Sequence, residues 1–440
     1  MANEARKRIE LLFDENSFVE MKEAVSEGVI TGYGQVGGRA VFAFFQDADV
    51  KGGSVGMAHA RKICSLYEMA MDAGAPVVGY LDSSGLRLEE SYDGASAAAL
   101  ISAASARAAG IIPRISVIYG NAGGMLSLIA GLSDIRCMED GASMYINSPD
   151  AIEGISRDEK DTSSAKYAFT EAGTADATGS ADEVAAYVRD IITHLPSGHR
   201  DRPFRAEPSD DMNRASDLES LRADIPAFVR ELSDGGFFVP FRDGYATSLT
   251  AGFISIGGIT AGVFGNNAQG DTNGAYLTPP SINKAADLVK VCAAFHVPVI
   301  SLINVRGYER TVHTEKCMPR AMRNLVGAYA CARIPKIALH IGNSIGSAYL
   351  NYGTHEAGCD LVYAWKDVKM ALMDEKEAAM IADGISYEDG LNAALSRGIV
   401  DRVVNPADTR KYLISALDLL LGKPPFHHGR HGHGHHRCHI

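Results

Sequence analysis

Ile112-Pro-Arg-Ile-Ser-Val-Ile-Tyr-Gly-Asn-Ala-Gly-Gly-Met125 is the stretch from which the fold can be read. A proline opens it, a β-branched apolar run follows, and a glycine-rich corner closes it, so it reads as a strand that turns sharply. Behind the corner, Leu126-Ser-Leu-Ile-Ala-Gly-Leu132 has the composition of a buried helix. Glycines there let two consecutive backbone N–H groups, those of Gly123 and Gly124, point into a cavity that side chains would otherwise block. Such a pair at a helix N-terminus suits an oxygen that gains negative charge during reaction. A single corner of this kind is equally a packing device, since strand–glycine–helix turns are common in α/β proteins.

The chain holds the design twice. Pro335-Lys-Ile-Ala-Leu-His-Ile-Gly-Asn-Ser-Ile-Gly-Ser-Ala348 repeats it at an offset of 335 − 113 = 222 residues. Upstream, Ala75-Pro-Val-Val-Gly-Tyr-Leu-Asp82 lines up with Val297-Pro-Val-Ile-Ser-Leu-Ile-Asn304 at the same offset. Gly85 maps onto Gly307, Gly120 onto Gly342, Asn121 onto Asn343 and Gly124 onto Gly346. A register kept across two strands and two corners marks an internal duplication, and so long a period means two homologous domains.

At 440 residues and 46% apolar content the chain can bury ordinary cores. A net charge of −12 argues against a nucleic-acid surface. No signal peptide and no membrane-spanning apolar run is read, so a cytoplasmic protein without direct membrane insertion is expected. The seven cysteines (64, 137, 292, 317, 331, 359, 438) form no CxxC pair and read as reduced core thiols.

In chain order, a charged helix from Glu4 leads into a short segment around Ser17. Two strands, Gly28-Val-Ile-Thr-Gly-Tyr-Gly34 and Arg39-Ala-Val-Phe-Ala-Phe-Phe45, join through Gly37-Gly38 as a hairpin. Gly52-Gly-Ser-Val-Gly56 opens a helix to about Ala73, with Ile63, Leu66, Tyr67 and Ala70 on one face. The strand ending at Asp82, a loop with Arg87, a small-residue helix from Ala95 to Ala109 and the first corner follow. Alternation of strands with such helices implies right-handed crossovers and a largely parallel sheet in each half. The polar, proline-bearing segment from Pro196 places a linker at 196–225, between an amino-terminal domain at 1–195 and a carboxy-terminal domain at 226–426. Residues 427–440 carry seven of the fourteen histidines, spaced by glycine, and are expected to be disordered with incidental affinity for metal ions.

No nucleophile–histidine–acid set and no metal-ligand spacing stands out in the body of the chain. Asp82 reads as a strand-end turn residue, His59 as packed on its helix and His340 as a satisfied core histidine. Arg61 and Lys62 are candidates for meeting phosphates, with a solvated helix face as the equal alternative.

With these residues in view, the chain resembles the carboxyltransferase (β-type) subunits of biotin-dependent acyl-CoA carboxylases, the propionyl-CoA/methylmalonyl-CoA family with its decarboxylase relatives. Ala5-Arg-Lys-Arg-Ile-Glu-Leu-Leu-Phe-Asp-Glu-Asn-Ser-Phe-Val-Glu20 is similar to that family's opening signature. Gly52-Gly-Ser-Val-Gly-Met-Ala-His-Ala-Arg-Lys-Ile63, Asp82-Ser-Ser-Gly-Leu-Arg87, Ser281-Ile-Asn-Lys-Ala-Ala286 and Gly398-Ile-Val-Asp-Arg-Val-Val-Asn405 follow in the family's order. The resemblance spans nearly everything except the histidine tail. It implies two tandem crotonase-like α/β domains and transfer of a carboxyl group between carboxybiotin, borne by a separate carrier protein, and a short-chain acyl-CoA. It further implies that Gly123 and Gly124 hold the thioester oxygen of an enolate, that Gly346, Ser347 and Ala348 hold the biotin ureido oxygen, and that Gly52, Gly53, Ser83, Gly85 and Gly307 line the substrates.

A biotin carboxyl carrier protein, biotin carboxylase or decarboxylase subunits, and a dimer-based homo-oligomer, up to a hexamer, are the implied partners. In the family's enzymes one site is shared between the first domain of one subunit and the second domain of another. If the cofactor supplies the base, the protein needs only positioning and oxyanion donors. The family's second corner reads Tyr-Gly-Gly-Ala-Tyr, whereas here it is Ile345-Gly-Ser-Ala-Tyr349, and its Asp-x-Pro-Gly-Phe is here Asn304-Val-Arg-Gly-Tyr308. These changes leave two alternatives: a partner subunit with one working corner, or a crotonase-fold scaffold with a metal-binding tail.

Overall fold

A computed structural model describes residues 3–152, 160–201, 205–268, 275–381 and 388–423. The histidine-rich tail at 427–440 lies outside the described residues. The chain divides into two compact units, Met1–Arg202 and Pro203–Ile440. Part of the stretch expected as linker belongs to the second unit: Arg205 forms a β-bridge with Ile259, and Leu218 is buried.

Among the described residues, the first unit contains an eight-stranded sheet. Its leading strands, Val29–Val36 and Arg39–Gln46, are antiparallel and joined at Gly37 and Gly38, whose φ values are 56° and 75°. Two successive positive φ angles define the type I′ hairpin turn and demand glycine or a close substitute. Asp14 accepts the amides of Gly37 (3.1 Å) and Gly38 (2.9 Å) and pairs with Arg189 at 2.7 Å. From Arg39–Gln46 onward the sheet is parallel, through Val77–Ser83, Arg114–Gly123 and Ile135–Glu139. The helices Met57–Ala73 and Tyr92–Ala108 make the crossovers and pack on each other. Ile63, Leu66, Tyr67 and Ala70 are buried as their spacing predicts, in one core with Ala97, Ala98, Ile101 and Ala104. The alanines let the helices approach closely, and each buried Ile or Leu contributes roughly 1.5–3 kcal/mol of apolar burial.

The second unit, among the described residues, contains a nine-stranded sheet built to the same plan. Leu249–Ile256 and Ile259–Asn266 form its hairpin, with Gly257 and Gly258 at φ 59° and 75°. Asp234 accepts their amides at 2.8 and 2.7 Å, and its ion-pair partner Arg410 is, like it, fully buried. The parallel run is Ile259–Asn266, Val299–Tyr308, Lys336–Ile345 and Leu361–Ala364, with crossover helices Pro279–Ala294 and Val312–Cys331.

One lysine in each unit is part of this frame. Lys62 is buried and its Nζ donates to the carbonyls of Val25 (2.9 Å) and Val29 (2.8 Å). Lys284, 222 residues on, donates to Tyr245 and Leu249, both at 2.8 Å, and burial pushes its pKa down to about 7. The expectation that Lys62 could meet a phosphate is therefore corrected: its ammonium is spent on loop and strand carbonyls. Arg61 stays exposed.

Candidate functional site

Each corner begins with an irregularity in the parallel ladder. In the first unit Leu81 pairs with Ile118 but Ser83 pairs with Ala122, so three residues face one and the ladder breaks at Asp82. The orphaned amide of Asn121 is taken by the Asp82 side chain, Oδ1 accepting at 3.0 Å. In the second unit Ile303 pairs with His340 and Val305 with Ser344, and Asn304 Oδ1 accepts the Asn343 amide at 2.9 Å. The side chain stands in for a missing backbone acceptor, which a carboxylate and an amide oxygen do alike. This explains both glycines that precede the accepted amides. A Cβ on Gly120 would lie 2.1 Å from Asp82 Oδ1, and one on Gly342 2.3 Å from Asn304 Oδ1.

The corner itself follows. Gly124 (φ 57°) starts the helix Met125–Gly131, and Gly346 (φ 69°) starts the single turn Ser347–Leu350. Gly124 donates its N–H to the Tyr145 carbonyl at 2.9 Å, and Gly346 donates to Ala371 at 3.0 Å. These amides are committed to the sheet, which corrects their expected role as donors. Both glycines serve through their left-handed backbone, which turns the chain from strand to helix. The N–H groups that lack an intrahelical acceptor belong to the first helical residues, Met125 and Leu126 in one corner and Ser347 and Ala348 in the other. Gly123 closes the first strand opposite Tyr145, whose ring covers it: a Cβ there would lie 2.7 Å from Tyr145 Cε2. Met125 and Leu126 were not singled out in the sequence, although the offset of 222 maps Ser347 and Ala348 directly onto them.

The other expected site residues of the first unit gather at this strand end. Lys51, Gly52 and Gly53 have φ values of 53°, 61° and 62°, a left-handed turn. Ser84 donates its amide to the Gly52 carbonyl (2.9 Å), and a Cβ on Gly53 would lie 2.3 Å from the Asp82 carbonyl oxygen. Ser83 Oγ accepts the Gly85 amide (3.1 Å), and Ser83 pairs with Ala122 of the corner strand. Gly52, Gly53, Ser83 and Gly85 therefore line one rim. Gly307 (φ 132°) occupies the matching strand end of the second unit, paired with Tyr276.

Side chains around the two corners differ. An apolar cavity of about 220 Å³ flanks the first, lined by Met144, Tyr145, Ile146, Tyr167 and Ala168. A charged cavity of about 300 Å³ flanks the second, lined by Tyr276, Arg306, Arg310, Ile345, Lys369, Asp374 and Glu375. There Arg306 stacks 5.2 Å over the Tyr276 ring, Arg310 pairs with Asp374 (3.0 Å) and Glu377 (2.8 Å), and Lys369 pairs with Glu375.

Neither buried histidine is placed for proton transfer. His59 Nδ1 lies 2.9 Å from the Glu27 carbonyl and must donate, leaving Nε2 to accept from Gln46 Nε2 at 3.3 Å. His340 Nε2 donates to the Gly353 carbonyl (2.9 Å), and Nδ1 accepts from Ser344 Oγ (2.7 Å). Burial pushes each pKa down to about 4, so both rings are neutral. Among the described residues no group of three or more His, Cys, Asp or Glu side chains could hold a metal ion, and no helix is long and apolar enough to cross a membrane.

The carboxyl transferase domain family matches residues 3–393. Methylmalonyl-CoA decarboxylase subunit alpha of Veillonella parvula is 30% identical, with 95% of this chain and 90% of that protein covered. The propionyl-CoA carboxylase beta chain of Roseobacter denitrificans is 31% identical, with 95% and 91% covered. Among solved structures, the hexameric transcarboxylase 12S with methylmalonyl-CoA and methylmalonic acid bound superposes with a TM-score of 0.90 at 26% identity, covering 98% of this chain and 92% of that one.

Proposed function

The chain belongs to the carboxyl transferase domain family, and on that premise we propose that it is the carboxyltransferase component of a biotin-dependent acyl-CoA carboxylase or decarboxylase. The observation that carries the reading is the repeated corner: one strand end per unit where a left-handed glycine turns the chain and the first two helical amides have no intrahelical acceptor.

In the first corner the amides of Met125 and Leu126, beside Gly123, are placed to donate to a thioester oxygen as negative charge builds on it. Fixed backbone donors need no reorganisation, and one such donor is worth about 3–4 kcal/mol of barrier. Gly52, Gly53, Ser83 and Gly85 form the rim against which the acyl-CoA lies. In the second corner the amides of Ser347 and Ala348, with Gly307 at the neighbouring strand end, suit the ureido oxygen of biotin. The space fits such a group, because a Cβ on Gly346 would meet nothing nearer than the Leu372 carbonyl at 3.9 Å. When bound, carboxybiotin on a separate carrier supplies the carboxyl group and a ureido nitrogen able to take the acyl α-proton. What the protein contributes is orientation and hydrogen-bond donation, in keeping with the neutral, spoken-for histidines.

A homo-oligomer serving a biotin carboxyl carrier and a biotin carboxylase or decarboxylase subunit fits the family, whose transcarboxylase relative is hexameric. A cytoplasmic location accords with the free thiols of the described cysteines. Ser347 and the charged cavity at the second corner favour one other reading, a subunit whose second corner no longer takes biotin. Incubating the purified protein with free biotin and malonyl-CoA or methylmalonyl-CoA separates the two. Biotin-dependent decarboxylation is expected; acyl-CoA binding without turnover, with or without co-purifying partners, selects the half-active subunit. Absence of both binding and turnover overturns the proposal.

A further inference from the structure

Arg87 has no role in the chemistry described so far, yet it is the most heavily engaged cation of the first unit's rim. It is 6% exposed, and its guanidinium reaches five acceptors on three separate segments. Nε donates to Ser54 Oγ (3.3 Å), and Nη2 donates to the carbonyls of Ser54 (2.9 Å) and Glu27 (3.2 Å). Nη1 donates to Glu27 Oε2 (2.5 Å) and Glu90 Oε1 (3.0 Å). Glu90 in turn uses Oε2 to accept the Met57 amide at 2.7 Å, capping the helix that follows the glycine turn. Backbone bonds complete the fastening, Arg87 N–H to Val55 O and Val55 N–H to Gly85 O, both 2.9 Å. Gly56 is the point of closest approach, where a Cβ would lie 2.2 Å from Glu90 Oε1 and 2.7 Å from Arg87 Nη1.

The left-handed turn Lys51–Gly53 is costly in itself, because a lysine is held at positive φ and two glycines lose their backbone freedom. Such a turn persists only where its surroundings hold it, and the residue immediately after it, Ser54, is gripped by Arg87 through both its carbonyl and its hydroxyl. A planar fork can reach opposed acceptors at once, which an ammonium cannot do from the same stem. Hydrogen bonds from Arg87 and Lys51 outweigh burial and hold the Glu27 carboxyl below its ordinary pKa, so the clamp stays charged at neutral pH. In the repeat the position 222 residues on is Glu309, which accepts from Thr314 Oγ1 at 2.7 Å, so the second unit has no equivalent fork at this place.

We propose that Arg87 is a positioning residue for acyl-CoA: by gripping Ser54, Glu27 and Glu90 it fixes the Gly52–Gly53 turn against Asp82–Ser84 and thereby sets the rim of the first corner. The proposal rests on reading that corner as the acyl-CoA site. Arg87→Lys keeps the charge and loses the fork. Hydrogen exchange of the Ser54–Met57 amides is expected to accelerate about tenfold or more. KM for malonyl-CoA or methylmalonyl-CoA should rise on the order of ten- to a hundredfold, the scale of a small misplacement at a site. KM for free biotin and the melting temperature should stay close to those of the parent protein. Glu90→Gln, which keeps an oxygen for the Met57 amide and removes the charge facing Arg87, should show a weaker version of the same pattern and serves if Arg87→Lys does not fold.

Unchanged exchange at 54–57 overturns the clamp, and faster exchange with an unchanged acyl-CoA KM overturns its role in substrate positioning. A rise in both substrates' KM together with a lower melting temperature reduces Arg87 to a stabilising residue and also overturns it. Binding of CoA itself by calorimetry keeps the outcome separate from the carboxyltransferase reading. If the parent protein binds CoA without turnover, weaker CoA binding by Arg87→Lys still supports positioning and equal binding overturns it. A parent protein that binds no CoA overturns both.

Discussion

At the end of Arg114–Gly123 the chain turns beside an apolar cavity bordered by Met144, Tyr145 and Ile146; at the end of Lys336–Ile345 the same turn stands beside Arg306, Arg310, Lys369 and two carboxylates. The backbones agree in detail: a ladder break filled by Asp82 or Asn304, a glycine beneath that side chain, a left-handed glycine bonded to the next strand, and a helix start. Duplication has kept the backbone device and changed what surrounds it. On the proposed function, holding an oxygen needs only amide geometry, which any side chain that permits the turn preserves. Choice of the molecule that brings that oxygen would then fall to the cavity walls, which differ between the two units.

The largest effect expected from disturbing this parallel is at the turning glycines. Gly124→Val and Gly346→Val put the new Cβ no closer than 4.0 Å to the Ile146 carbonyl and 3.9 Å to the Leu372 carbonyl but force a β-branched residue to positive φ, so the corner rather than the core should give way. Loss of the corner's donors should lower kcat about 10²–10³-fold in a biotin-dependent decarboxylation assay. If only one of the two variants loses activity, the corners do not share the work.

The hairpin anchors come next. Arg410 is buried against Asp234, whereas Arg189 is about a third exposed beside Asp14. Removing one partner of a buried pair strands a charge, so Arg410→Leu should cost roughly 3–5 kcal/mol in denaturant unfolding. Arg189→Leu should cost at most about 1 kcal/mol, as screened surface pairs do. Equal losses would mean that the two anchors are not distinguished by burial.

Each unit also buries one neutral histidine. The folded pKa of about 4 lies below the unfolded value near 6.5, so between those limits the unfolded chain binds a proton that the folded chain refuses. Stability is therefore full above about pH 6.5 and falls as pH drops toward 4, by about 2–3 kcal/mol per histidine at pH 4.5. Unfolding of the wild type at pH 7 and 4.5 measures the sum, and His59→Asn and His340→Asn should each flatten their share of the difference. A wild-type stability that does not change over this range contradicts the assignment.

Smaller effects test the side chains at the corners themselves. Asp82→Asn turns the first ladder break into a copy of the second and keeps the acceptor for Asn121, so turnover should stay within about threefold and stability within about 1 kcal/mol. A large loss would show that the carboxylate charge matters as well as its oxygen. Ser347→Gly gives the second corner an extra glycine and should lower KM for free biotin slightly, at a helix-start cost of about 0.5–1 kcal/mol. A raised KM would mean that the serine side chain supports the pocket.

Much of this was legible beforehand. The period between Pro113 and Pro335 exposed two homologous α/β units, and the Ile63, Leu66, Tyr67, Ala70 spacing gave the buried face of its helix because a period of 3.6 residues is a local property. Gly37-Gly38 announced the hairpin for the same reason, as a type I′ turn writes its demand for positive φ into two adjacent residues. The sequence placed the candidate donors of the first unit two residues earlier, at Gly123 and Gly124, than the free helix-start amides of Met125 and Leu126. An amide's availability depends on which carbonyl faces it across the sheet, and Tyr145 and Ala371 lie far along the chain from the glycines they engage. Lys62 was misread in the same way, because its carbonyl partners sit on a loop and at a strand start more than thirty residues upstream.

Order along the chain thus settled the duplication, the alternation of strand and helix, and the two places where the backbone must turn left-handed, since each is encoded in residues close together. Folding settled which N–H groups remain unspent, which lysine, arginine and histidine side chains are consumed by the frame, and what surrounds each corner. Those outcomes depend on pairings between distant segments and on burial, neither of which exists until the sheet has closed and its helices have packed.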